Sequence, residues 1–229
     1  HPGTVFSSID QQGRYAYGNQ PPIAQWNLLQ LAQAMLPLLQ GDGEADLKPA
    51  VERVQTVLNQ FPEHYISAYR RRMADKLGLD DCSDADEQLY RDFLDLLQEQ
   101  HCDFTLSFRK LYDLANQALP INQRGEAIDS LFEFPDAFAP WLQRWQQRLS
   151  EDNQNAEQRA AQMRQANPVF MPRNHLVEAA ISAAYQGDMS VFTDLNTVLE
   201  TPFDYRQQLA HYASPASEEE QVRATFCGT

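Results

Sequence analysis

The sequence predicts an all-α protein. Apolar residues recur at helical spacing through most of its 229 residues, and clusters of Gly, Pro and Asp punctuate those runs. No convincing strand ladder interrupts the pattern.

Residues 1–22 contain Gly3, Gly13, Gly18, Pro2, Pro21 and Pro22 without a lasting period and read as a loop. The next run, Ile23 to Leu39, is apolar at Ala24, Trp26, Leu28, Leu29, Leu31, Ala32, Met35, Leu36, Leu38 and Leu39, leaving a narrow polar stripe at Gln30, Gln33 and Gln40. A helix apolar nearly all round has to be surrounded by protein, so this one is expected to be central, with Trp26 buried beside Leu29, Ala32 and Leu36. Ordinary amphipathic helices follow over Val51 to Phe61, Leu89 to Leu97 and Phe138 to Leu149. Breaks fall at Gly41-Asp42-Gly43, Gly78 to Asp84, Leu119-Pro120, Phe134-Pro135, Asn167-Pro168 and Gly187-Asp188, several with Asp or Ser placed to cap the next helix. Residues 150–165 form a polar helix or linker and the best candidate boundary. The expected organisation is a loop over 1–22, a helical region over 23–150 and a polar linker with a helical extension over 151–229.

Eighteen basic against thirty-two acidic residues give a net charge of −14. Such a surface repels a phosphate backbone and argues against nucleic acid as a partner. Arg70-Arg71-Arg72 shares its helical stretch with Asp75 and Lys76 and reads as a solvated face. The longest apolar stretch, Leu28 to Leu39, is too short and too interrupted to span a bilayer, so no membrane is expected. Three cysteines, Cys82, Cys102 and Cys227, are odd in number and lack Cys-x-x-Cys pairing, which favours a reducing, cytoplasmic compartment over a disulfide framework or zinc site. The sequence opens His1-Pro2-Gly3 without a Met.

Residue chemistry alone names no reaction. Asp80-Asp81-Cys82-Ser83-Asp84 matches the Asp-Asp-x-x-Asp spelling with which helical prenyl-diphosphate enzymes hold magnesium. It also lies between Gly78 and a helix starting near Glu87, where acidic residues are favoured by the helix N-terminus, and no second acidic motif follows; the expected role is a capping loop. His1, His64, His101, His175 and His211 never stand three or four apart, so no helix face offers two of them to a metal. Arg173-Asn174-His175 opens a helix and reads as capping with a satisfied histidine. No Gly-rich phosphate loop, nucleophile elbow or Cys-His couple is present.

Longer strings carry more. Thr4-Val5-Phe6-Ser7-Ser8-Ile9-Asp10, Gly13-Arg14-Tyr15-Ala16-Tyr17, Asn19-Gln20-Pro21 and Trp26-Asn27-Leu28 resemble the segment that follows the catalytic residues in selenoprotein O proteins. Asn167-Pro168-Val169-Phe170-Met171-Pro172-Arg173-Asn174-His175-Leu176 resembles a second block of that family, and Phe226-Cys227-Gly228-Thr229 a bacterial ending of it. The resemblance implies a C-terminal portion: the helical C-terminal lobe of a protein-kinase-like fold plus a helical extension, with residues 1–22 in the place of an activation segment and Ile23 to Leu39 as a central helix. It further implies a parent protein that uses ATP and magnesium to transfer AMP to Ser, Thr or Tyr hydroxyls of protein substrates. The family's catalytic, cofactor-binding and metal-binding residues lie upstream of the matched segment, so the resemblance implies none in this chain, which should be inactive without the missing N-terminal part. Cys227 resembles a terminal cysteine or selenocysteine that is redox-active in some members; its usual partner segment, here Phe6-Ser7-Ser8-Ile9-Asp10, holds no cysteine. The alternative is a non-catalytic helical interaction module acting through a groove between helices.

Overall fold

The computed structural model describes residues 1–40 and 46–226; the expected break at Gly41-Asp42-Gly43 and the terminal Cys227 lie outside the described residues. Among the described residues, nine long helices and several single turns account for the ordered elements and no strand occurs. The all-α expectation is met. The chain divides into two compact units, one of His1–Tyr69 with Arg223–Thr229 and one of Arg70–Val222.

The first unit contains helix α1 (Gln20–Leu39), helix α2 (Lys48–Leu58) and the start of helix α3 (Phe61–Leu77). Pro residues near the beginnings of α1 and α2 cost no hydrogen bond, because the first helical N–H groups have no partner in any case. The expected single helix from Val51 to Phe61 is instead broken at Asn59 and Gln60, with Pro62 in the first turn of α3. The burial expected for α1 is not met in this chain. None of its residues is buried, and Trp26 is 45% exposed. A helix apolar on nearly every side needs neighbours on every side, and here its main helical neighbours among the described residues are α2 and the single turn Tyr17–Asn19. Among the described residues of the first unit, the buried apolar ones are Ala16 and Ala50.

The second unit runs through the rest of α3, then helices α4 (Asp84–Glu99), α5 (Phe104–Asn116), α6 (Ala139–Glu151), α7 (Ala156–Ala166), α8 (Asn174–Tyr185) and α9 (Ser190–Leu199). Local chemistry sets the boundaries. Ser83 and Asp86 form a reciprocal capping box at the start of α4, and Asn155 and Gln158 do the same for α7. Asp103 caps α5 by accepting the Leu106 N–H at 2.8 Å. Gly78 ends α3 at φ +75°, where a Cβ would come within 2.6 Å of the Met163 sulfur.

The core of this unit is aromatic. Phe93 of α4 lies 4.4 Å from Trp141 and 5.0 Å from Phe108, centroid to centroid. Both buried indoles of α6 are satisfied: Trp141 donates to the Leu89 carbonyl at 2.8 Å and Trp145 to that of Leu77 at 2.9 Å. A second cluster joins Leu106, Ile128, Val169, Phe170, Val198 and Tyr205. Residues of the second family-like block, Val169 and Phe170, thus belong to the core; both donate their N–H groups to the Pro202 carbonyl.

Candidate functional site

In the first unit, the N-terminal loop is held in a fixed path by its own side chains. The Asp10 carboxylate accepts the Arg14 and Tyr15 N–H groups at 2.8 and 2.7 Å, closing a turn that places Gly13 at φ +67°. The Arg14 guanidinium then lies over the Trp26 ring at 4.4 Å. Thr4 and Pro2 accept the Tyr17 and Gly18 N–H groups, so the loop folds back on the start of α1. Burial pushes the Tyr17 phenol up from its ordinary value.

The tail joins the same loop. Ser8 N–H donates to the Thr225 carbonyl at 2.8 Å, Thr225 N–H to Ser8 Oγ at 3.1 Å, and Thr225 Oγ1 to the Phe6 carbonyl at 2.7 Å. Ser8 of the N-terminal family-like string and Thr225, the residue before the C-terminal one, are thus in direct contact. Cys227, the possible redox residue, lies beyond the last described position.

In the second unit the acidic string resolves into local structure. Asp81 accepts the Cys82 N–H at 2.7 Å, Asp84 lies in the first turn of α4 opposite Arg70 at 3.2 Å, and the Asp80 N–H donates to Asp152. The capping-loop expectation is met, through Ser83 as the cap and Asp86 as its reciprocal partner. No three His, Cys, Asp or Glu residues among those described stand where they could hold a metal ion. Arg71 and Arg72 are exposed as expected of a solvated face, whereas Arg70 reaches Glu87 at 2.6 Å and ties α3 to α4. Arg173 occupies the N-cap position of α8 without a side-chain cap; its guanidinium turns instead to Asp103 at 2.7 Å and braces α8 against the start of α5. Burial pushes both described thiols, Cys82 and Cys102, up from their ordinary values, leaving them poor nucleophiles at neutral pH.

The sequence pattern did not reveal the buried charges of α5. Arg109 and Asp113 pair at 3.5 Å with both side chains almost wholly enclosed, and Asp113 also accepts the Ile128 N–H at 2.8 Å. Burial pushes the Asp113 carboxyl up to about 6 and the Arg109 guanidinium down. Lys76 of α3 donates to the Ala166 carbonyl at 2.9 Å and lies 4.8 Å above the Phe108 ring; burial brings its ammonium down to about 8. Their only signal in the sequence was i, i+4 spacing of Arg109 and Asp113, which ordinarily marks a surface pair. These groups brace helices.

Comparison with known proteins adds what the residues alone do not. A family model described as "Protein adenylyltransferase SelO" matches residues 1–200. The whole chain is 44% identical to a "Protein nucleotidyltransferase YdiU" of Rhodopseudomonas palustris, of which it covers 45%. It is 45% identical to the protein of the same name in Rhizobium etli, covering 44% of it, and 44% identical to that of Bradyrhizobium diazoefficiens, covering 45%. The chain thus spans less than half the length of these relatives.

Proposed function

Because the chain belongs to the SelO family, whose relatives are named as protein nucleotidyltransferases, we propose that it is the C-terminal portion of a protein adenylyltransferase of the reducing cytoplasm. The full polypeptide transfers AMP from ATP to Ser, Thr or Tyr hydroxyls of other proteins, with magnesium as its metal. The observation that carries this reading is alignment of the entire chain, at 44–45% identity, to nucleotidyltransferases more than twice as long.

A magnesium-bound triphosphate supplies an activated phosphorus and neutralises the charge that develops around it. The described residues of this chain do not fit that group, since none of their carboxylates cluster as metal ligands; no step of the transfer is assigned to them. Their part is structural. The loop over 1–22 corresponds to an activation segment, held by Asp10 and by Arg14 on Trp26, and α1 corresponds to the central helix of a kinase-like C-terminal lobe. The open faces of α1 support that placement. Leu31, Leu38 and Trp26 are 56%, 82% and 45% exposed, and an apolar groove of about 350 Å³ lies between α1 and α2. Among its described residues the buried apolar ones are Ala16 and Ala50, so the unit has little core of its own for these faces to join. The missing N-terminal part of the same polypeptide covers these faces.

The test is transfer of label from ATP to a generic protein acceptor in the presence of magnesium. This chain alone is expected to transfer none and the full-length protein to transfer clearly. Label incorporated by the chain alone overturns its assignment as a non-catalytic portion, and a full-length protein that modifies no acceptor overturns the activity.

A further inference from the structure

We propose that the groove between α8 and α9 is a docking site for a helix of another protein, one with an apolar face flanked by Lys and Arg. The groove has a volume of about 290 Å³ and is lined by Val177, Ile181, Ala184, Met189, Phe192 and Leu199, among others. Its rim is open: Ile181, Met189 and Phe192 are 44%, 54% and 51% exposed. Alanines at 180 and 184 keep the α8 wall low, which lets a helix approach closely, and Met189 supplies an adaptable contact.

The groove is preformed. Gly187 turns the chain at φ +86°, the Asp188 N–H donates to the Ala183 carbonyl at 3.0 Å, and the Asp188 carboxylate accepts the Ser190 N–H at 2.9 Å, so the hairpin is closed by its own turn. Little ordering is left for binding to supply.

Charge identifies the occupant. From Asn174 to Glu200 the hairpin carries Glu178, Asp188, Asp194 and Glu200 and no Lys or Arg. The Arg at its entrance, Arg173, is already committed to Asp103. Helical spacing sets Glu178 and Glu200 beside the lining faces, with Asp188 in the turn and Asp194 on the far side of α9; an apolar trough so flanked suits an apolar helix with a basic surround and repels an acidic one. A second copy of this chain is a poor occupant for the same reason, given its net charge of −14.

Two labelled helical peptides of roughly five turns, sharing one Leu pattern but carrying either Lys or Glu on the polar face, test the proposal by fluorescence anisotropy against the full-length protein. The Leu/Lys peptide is expected to bind saturably and the Leu/Glu peptide not to bind. Ile181→Glu with Phe192→Glu should weaken the Leu/Lys complex by about tenfold or more, although it makes the protein more acidic, which separates groove binding from general attraction. Both side chains are half-exposed, so circular dichroism should be unchanged; Phe192→Ala is the second variant and should weaken binding in the same direction. Equal affinity for both peptides, or undiminished binding by these variants, overturns the proposal. So does binding by this chain that vanishes in the full-length protein, since the groove would then be covered by its own polypeptide. None of these readouts depends on nucleotide transfer.

Discussion

Helix α1 and helix α5 reverse the usual relation between composition and burial. Helix α1 contains no charged residue and buries none of its side chains; α5 carries Arg109, Lys110 and Asp113 and has nine buried residues. What differs is the surroundings. Helix α5 crosses a finished core, with Phe108 beneath Lys76 and edge-on to Phe93, and its charges are tolerated because each has a partner: Arg109 with Asp113, Lys110 with Asp129 and Glu133. Helix α1 has the side chains of a core and lacks, within this chain, the protein that would complete one.

The largest effect that follows from this contrast belongs to the finished side. Trp145 is 1% exposed, and its indole N–H donates to the Leu77 carbonyl. Trp145→Ala leaves both a cavity and an unpaired carbonyl at the end of α3, and should cost about 3–5 kcal/mol. Urea unfolding of the second unit, followed by circular dichroism, measures it. A loss under about 1 kcal/mol would mean that this core is no better closed than the faces of α1.

The same contrast explains what could be read in advance. Helices α4 and α6 were legible because a polar face alternates with one buried face, and the start of α4 because Ser83 and Asp86 form a purely local motif. Helix α5 was not singled out, because Arg109-Lys110 and Asp113 interrupt its apolar run and only their tertiary partners make them burial-competent. Helix α9 is equally hard to read from the sequence, because Thr193, Asp194, Asn196 and Thr197 dilute its period. For α1 the pattern correctly signalled a need for surrounding protein; the inference that this chain supplies it was wrong. The expectation of catalytic chemistry came only from family-like strings, since no motif in the residues themselves names a reaction.

The buried pair in α5 offers an intermediate effect. The folded-state Asp113 carboxyl titrates at about 6, above its ordinary 3.8, so folding favours the protonated form. Its contribution is present below about pH 4 and is lost as pH rises through 6, of order 2–3 kcal/mol. Asp113→Asn retains an oxygen for the Ile128 N–H and removes the titration. Relative to the parent, the variant should therefore gain stability as pH is raised from about 4 to about 7, with the other carboxylates cancelling in the difference. A difference that stays flat would show that Arg109 holds Asp113 ionised throughout, and that the enclosure of α5 is weaker than its exposure suggests.

The smallest effect bears directly on α1. In this chain Trp26 is 45% exposed and its identified partner is the Arg14 guanidinium above its ring, an arrangement worth about 0.5–1 kcal/mol at an exposed site. Trp26→Ala should therefore shift the unfolding of this chain by about that amount and no more. In the full-length protein, if the missing N-terminal part covers α1, the same substitution opens a cavity and should cost about 3–5 kcal/mol. Urea unfolding followed by circular dichroism, with the two proteins compared under one condition, gives the difference without relying on the lost fluorophore. The two shifts must diverge, because the side chain and its helix are the same in both and only the covering protein differs. Equal small shifts would leave α1 an exposed apolar helix in the full-length protein as well, and would remove its assignment as the central helix of a kinase-like lobe.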